Sequence, residues 1–174
     1  MADWQTSLKK GTDFEDFCLK DISEKKYPLA YKNMNKDEYS YCDIILFNGN
    51  FSIPTKEQKK VECKFDEMAQ ISNNICIEVG CNGIWSGLLK TKAEYWIISD
   101  GSLAGKTTYI IKKGIIEDCI RENINTLEYK PNHPVVQENN VVKLMNLWII
   151  PRRIFESYCE EISNINELKY DCLI

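Results

Sequence analysis

At 174 residues, with 44% hydrophobic and 28% charged side chains, the chain suffices for one compact core and is short for two. A net charge of −4 argues against a protein that coats nucleic acid by bulk electrostatics, which needs an excess of Lys and Arg, and it leaves room for an acidic metal-binding centre. No apolar run approaches the roughly 18 residues that span a bilayer, and the start Met1 to Gln5 has neither a basic nor an apolar region, so the expectation is a soluble cytoplasmic protein with no membrane attachment.

In chain order, a first helix is expected from about Gly11, where Thr12 or Asp13 can cap it, to about Lys26, with Phe14, Phe17, Cys18 and Ile22 on its buried stripe. Pro28 ends it, and Leu29 to Lys32 reads as a short strand before a polar link from Asn33 to Glu38. Tyr39 to Phe47 is rich in aromatic and branched residues, stops at Asn48-Gly49-Asn50, and is followed by a second such run, Lys59 to Phe65, so the two should pair as a hairpin. Asn74 to Val79 alternates as a strand, and Gly80 to Gly83 turns toward a short helix around Gly87 to Lys92. Glu94 to Ser99 follows as a buried strand, with Trp96 and the earlier Trp85 expected in the core.

Thr108 to Ile111 reads as a strand, Gly114 to Asn123 as a helix, Val141 to Ile150 as a strand, and Pro151 to Ser163 as a helix with proline in its first turn. This alternation indicates one α/β or α+β domain built on a central sheet. The eight cysteines are scattered, several within apolar runs where Cys acts as a small hydrophobe, and no CxxC pair suggests a zinc ribbon. The single histidine, His133, lies in Lys130-Pro131-Asn132-His133-Pro134, which reads as a surface loop.

The residues with chemical capacity centre on the predicted hairpin. Glu62 and Lys64 are two apart on a strand, so both leave one face while Cys63 leaves the other. Asp43 begins the apolar half of the preceding strand, and a hairpin turning within residues 49–57 lays it beside Glu62. Two carboxylates so placed can hold a hard divalent ion through oxygen, magnesium above all, with manganese as a substitute. Lys64 would add charge to a phosphoryl centre or orient the attacking water. Glu78 sits between apolar neighbours in a strand, where a carboxylate needs a partner, either in the site or in Lys92.

On these residues the sequence resembles the PD-(D/E)xK, restriction-endonuclease-like nuclease superfamily over about residues 11 to 99. Asp43-Ile44-Ile45-Leu46 looks like its second motif and Val61-Glu62-Cys63-Lys64 like its third, although Cys42 stands where the family often has proline. Gly11 to Glu15 is similar to the helix start of archaeal Holliday-junction resolvases, whose glutamate supports the metal. Ile77-Glu78, then Ser86-Gly87, then Thr91-Lys92-Ala93-Glu94-Tyr95-Trp96, is similar to phage-type resolvase-like nucleases. The many Asn and Ile, with Lys far exceeding Arg, fit the AT-rich genome of a phage or other virus.

The resemblance implies an α-β-β-β-α-β core and Mg2+-dependent hydrolysis of DNA, with selectivity for branched substrates and a homodimeric assembly. It also implies that Asp43, Glu62 and the main-chain carbonyl of Cys63 hold the metal, that Glu15, Glu78 and Lys64 complete the catalytic set, and that Lys90 and Lys92 contact DNA phosphates. Two alternatives stand beside this reading: a restriction-like or exonucleolytic enzyme, and an inactive fold kept as a DNA-binding or assembly subunit.

Overall fold

The computed structural model describes residues 4–34, 42–47, 58–101, 107–136, 142–164 and 167–173. Its elements run α1 (Trp4–Lys25), β1 (Tyr31–Lys32), β2 (Ile44–Phe47), β3 (Gln58–Phe65), α2 (Ala69–Ser72), β4 (Asn74–Cys81), β5 (Ile84–Trp85), a 3-10 turn (Gly87–Leu89) and β6 (Tyr95–Ser99). There follow β7 (Thr107–Lys112), α3 (Lys113–Glu122), β8 (Glu128–Val136), β9 (Val142–Pro151), α4 (Arg152–Glu156) and β10 (Glu161–Asn164). The mixed α+β composition agrees with the sequence reading. The sheet arrangement is richer than expected, because the strands form two sheets rather than one.

The larger sheet has the order β1-β2-β3-β6-β7-β10, with β3 and β6 parallel and the other neighbours antiparallel. The smaller has the order β5-β4-β9-β8, antiparallel throughout, with a register shift between Glu78 and Gly80. One face of the larger sheet packs against α1. Phe14, Cys18 and Ile22, one stripe of that helix, meet Ile44, Leu46, Val61, Tyr95 and Ile97, all buried. Cys63 and Phe65 join Val61 on this face as their alternation requires, and the Phe65 ring lies 5.9 Å from that of Phe14. The chain end closes the same layer: Leu168, Tyr170 and Leu173 are buried, and Tyr170 donates to Asp21 at 2.7 Å.

The opposite face carries Trp96, Ile98, Tyr109 and Ile111, and it packs on Ile75, Ile77 and Val79 of β4, on Ile116 and Cys119 of α3, and on Phe155 of α4. Glu62 and Lys64 lie level with Trp96 and Ile98 in the parallel β3–β6 ladder, so their face is the one turned toward the smaller sheet. Among the described residues no helix is long and apolar enough to cross a membrane.

Several local expectations are corrected. Helix α1 begins at Trp4, so Gly11, Thr12 and Asp13 are internal to it. A mid-helix glycine costs only about 1 kcal/mol against alanine, which the long buried stripe outweighs. The segment around His133 is strand β8, held to β9 with a register shift between Lys130 and His133 that accommodates Pro131, while Pro134 stands in register with Leu144 on this edge strand. The helix after Pro151 ends at Glu156, and Glu161 to Asn164 instead add a strand to the edge of the larger sheet. The helix expected over Gly87 to Lys92 is a single 3-10 turn, and Trp85 is 66% exposed rather than in the core. The stretches expected as the start of the Tyr39 strand and as the hairpin turn, 35–41 and 48–57, lie outside the described residues.

The 3-10 turn is fixed by close approach. Gly87 has φ +50°, and a Cβ there would stand 2.3 Å from the main-chain oxygen of Glu78. Both the left-handed backbone and the contact demand glycine. Gly87→Ala should therefore lower the unfolding free energy by about 1–3 kcal/mol, read as a shifted urea midpoint; a variant with the wild-type midpoint would contradict the contact.

Candidate functional site

Antiparallel pairing sets the site. Ile44 pairs with Val61, which carries Asp43, one residue earlier, to the level of Glu62. Asp43 sits just beyond the paired end of β2, where its N–H donates to Val61 O at 3.0 Å and its Oδ2 accepts from Cys63 N–H at 2.7 Å. The carboxylate thus substitutes for a β2 carbonyl that the ladder no longer supplies. In an extended residue N–H and C=O point to the same side, so the Cys63 carbonyl is directed to Asp43's side of β3. The Cys63 thiol does not share this role. It faces the core, and a hydrogen bond with Cys18 together with burial holds its pKa well above the usual value.

Glu62 reaches a different donor. Its Oε2 accepts from Thr91 Oγ1 at 2.9 Å, and Thr91 is buried. The segment 90–94 that carries Thr91 is stitched to the sheet by Glu94 N–H donating to Lys60 O at 2.8 Å. Lys64 lies two residues on from Glu62, and its positive charge lowers the Glu62 pKa, the weakest of the influences on that carboxyl.

The two carboxyls are electrostatically unusual. Burial pushes Asp43 up to about 7, the negative charge of Glu15 adds to this, and the Cys63 N–H and the Lys32 ammonium oppose it. Burial likewise pushes Glu62 up to about 8, with the Asp43 charge next in importance and Thr91's hydrogen bond working the other way. Desolvation of a carboxylate costs several kcal/mol, whereas one hydrogen bond to a charged group returns about 1.5–3 kcal/mol, so the upward direction prevails. The pair titrates as a unit.

Glu15 is drawn into this neighbourhood from α1. Its Oε2 pairs with Lys32 at 2.9 Å, and Lys32 also holds Asp16 at 2.9 Å. Burial works against the Lys32 charge, but these carboxylates outweigh it and raise the pKa of the ammonium. Lys32 is a site neighbour that the sequence reading passed over, as was the role of the Thr91 hydroxyl. The Thr91-Lys92 pair stood out in sequence, yet nothing in residue spacing showed that its hydroxyl reaches Glu62.

Glu78 lies on β4 in the smaller sheet, and its Oε1 accepts a hydrogen bond from Ser86 Oγ. This contact ties it to the Ser86-Gly87 corner. Lys90 and Lys92 are exposed on either side of buried Thr91. Among the described residues no three His, Cys, Asp or Glu side chains are arranged to hold a metal by themselves. The donor set here is of another kind, two carboxylates and a main-chain carbonyl, all oxygen, as a hard cation prefers. Comparison with family models, curated proteins and solved structures returned no match.

A pH dependence follows with a definite sign. A carboxyl whose folded pKa lies above its unfolded value near 4 holds its proton in the fold and loses it on unfolding, so between about pH 4 and 8 the fold binds more protons than the unfolded chain. The stabilising contribution is complete below about pH 4 and lost as pH rises through about 7 and 8. In the presence of a chelator, the midpoint of urea unfolding should fall from pH 5 to pH 8.5. That fall should shrink in the Asp43→Asn/Glu62→Gln double variant, which keeps both acceptors without the charge; an unchanged slope would refute the assignment.

Proposed function

We propose that this chain is a Mg2+-dependent nuclease that hydrolyses phosphodiester bonds in DNA. The observation that carries the reading is the pair of buried Asp43 and half-buried Glu62, set level by the β2–β3 ladder, whose pKa values are both displaced upward, in part by neighbouring negative charge, with Lys64 two residues along the same strand. A stable core gains nothing from such a pair, whereas a divalent cation would relieve its repulsion. The residues fit that cation: Asp43 Oδ1, Glu62 Oε1 and the Cys63 carbonyl would hold it. Bound there, magnesium supplies Lewis acidity to a water molecule and to a phosphate oxygen.

The chain's own residues divide the remaining work. Cys63 N–H fixes Asp43 from one side through Oδ2. Lys64, on the Glu62 face of β3, is placed to carry charge at the scissile phosphate or to orient the attacking water. Lys90 and Lys92 flank Thr91 on the surface and are suited to the phosphates beside the cut. The strand order β1-β2-β3-β6 after a leading helix, with β3 and β6 parallel, supports the same reading, because it delivers both motif strands to the middle of one sheet. A resolvase or repair role on branched DNA is the finer proposal, and it rests on the motif resemblance.

The test is purified protein on linear duplex, single-stranded, flapped and four-way DNA. Magnesium or manganese should support cleavage and calcium should not, since calcium's larger and looser coordination positions water and phosphate poorly. Lys64→Ala should lose at least about 100-fold in rate while its melting temperature stays near that of the wild type. Cleavage by Lys64→Ala at the wild-type rate, or an absence of cleavage on every substrate, would refute the proposal.

A further inference from the structure

Among the described residues, Thr91 brings a hydroxyl to the acidic pair, and its contacts restrict that hydroxyl. Its Oγ1 accepts from the N–H of Ala93 at 3.1 Å and donates to Glu62 Oε2 at 2.9 Å. A threonine hydroxyl has a single proton. With the main-chain N–H of Ala93 on one of its lone pairs, the hydroxyl is oriented to give that proton to the Glu62 carboxylate. The side chain is only 3% exposed, so water does not readily compete for either bond.

The main chain around Thr91 is tied down as well. Lys113 Nζ donates to Thr91 O at 3.1 Å, and Lys113 N–H donates to Glu94 O at 2.8 Å. The start of α3 is thereby linked to the segment that presents the hydroxyl. On the other side, the corner leading into this segment is pinned by Ser86 donating to Glu78 and by Gly87 lying against the Glu78 main chain. Glu62 is therefore oriented by a donor that is fixed from both ends.

We infer that Thr91 is a positioning residue for the cation site: by occupying Oε2 of Glu62 it holds that carboxylate in one rotamer and commits Oε1 to an incoming divalent ion. The inference rests on the nuclease reading of Asp43 and Glu62 and adds to it a residue that touches neither metal nor DNA. Groups that orient a ligand from behind are typically worth about 10–100-fold in metal affinity.

The experiment is a Mn2+ titration of the purified full chain without DNA, following loss of the free-ion signal by electron paramagnetic resonance, with circular dichroism as the check on folding. Thr91→Val, equal in volume and lacking the hydroxyl, should bind Mn2+ about 10-fold or more weakly, and Thr91→Ser, which keeps the donor, should stay within about twofold of the wild type. Should Thr91→Val not fold, Thr91→Ala takes its place with the same expected loss. A folded Thr91→Val with wild-type affinity, or a Thr91→Ser as weak as Thr91→Val, overturns the positioning role while leaving the nuclease reading intact. A wild-type chain that binds no Mn2+ overturns both, and it does so before any variant is compared.

Discussion

Asp43, just before β2, and Glu62, on β3, are set at one level by the antiparallel pairing of those two strands. Val61 is fully buried between α1 and the sheet, and Ile44 is buried opposite it. Sliding β2 by one residue would break the ladder from Ile44–Val61 to Phe47–Gln58 and carry Asp43 off the level of Glu62. The strand pairing therefore fixes the acidic pair. Each apolar contact that stabilises β2 and β3 also brings the two carboxyls together, and the repulsion is borne by the same residues that hold the layer closed.

The surrounding structure limits this repulsion without cancelling it. One donor is assigned to each carboxylate: the Cys63 N–H to Asp43 and the Thr91 hydroxyl to Glu62. The nearby ammonium of Lys32 is shared between Glu15 and Asp16 at 2.9 Å each, so its charge is largely committed on the α1 side. Lys64 moderates Glu62 only weakly. A full complement of donors would have made the pair a stable buried network, with nothing left for a cation. Partial satisfaction is what would let the pair accept a cation, as the proposed function requires.

The parts of this arrangement that depend on short-range alternation were legible in the sequence. Val61-Glu62-Cys63-Lys64 splits by period two into a core face and a chemical face, and Asp43 heads a run whose pairing follows from the same rule. The stripe Phe14, Cys18 and Ile22 was equally plain. Other features were hidden for identifiable reasons. Gly11-Thr12-Asp13 mimics a helix start, yet the helix passes through it because buried packing outweighs one unfavourable glycine. Pro131 and Pro134 mask β8, whose prolines are tolerated on the edge of the smaller sheet. Strand β10 has no signal of its own, since it is an edge strand of four residues whose partner β7 lies about fifty residues away. Long-range pairing of that kind is invisible to local pattern.

Glu78 shows how the same pattern can call for a partner without identifying it. A carboxylate between Ile77 and Val79, both buried, had to have a partner, and the sequence offered the acidic site or Lys92. The structure gives it Ser86, beside the glycine whose missing Cβ allows the chain to turn against β4. Six residues of chain lead from that glycine's neighbour Leu88, buried in the second core, to Ala93, buried beside Ile45, and Thr91 lies within them. The two acids, Glu78 and Glu62, therefore anchor opposite ends of one short segment through two hydroxyls. Glu78 thus meets the chain leading to Thr91 at the Ser86-Gly87 corner, and its spacing from Asp43 and Glu62 in sequence carries no information about that contact.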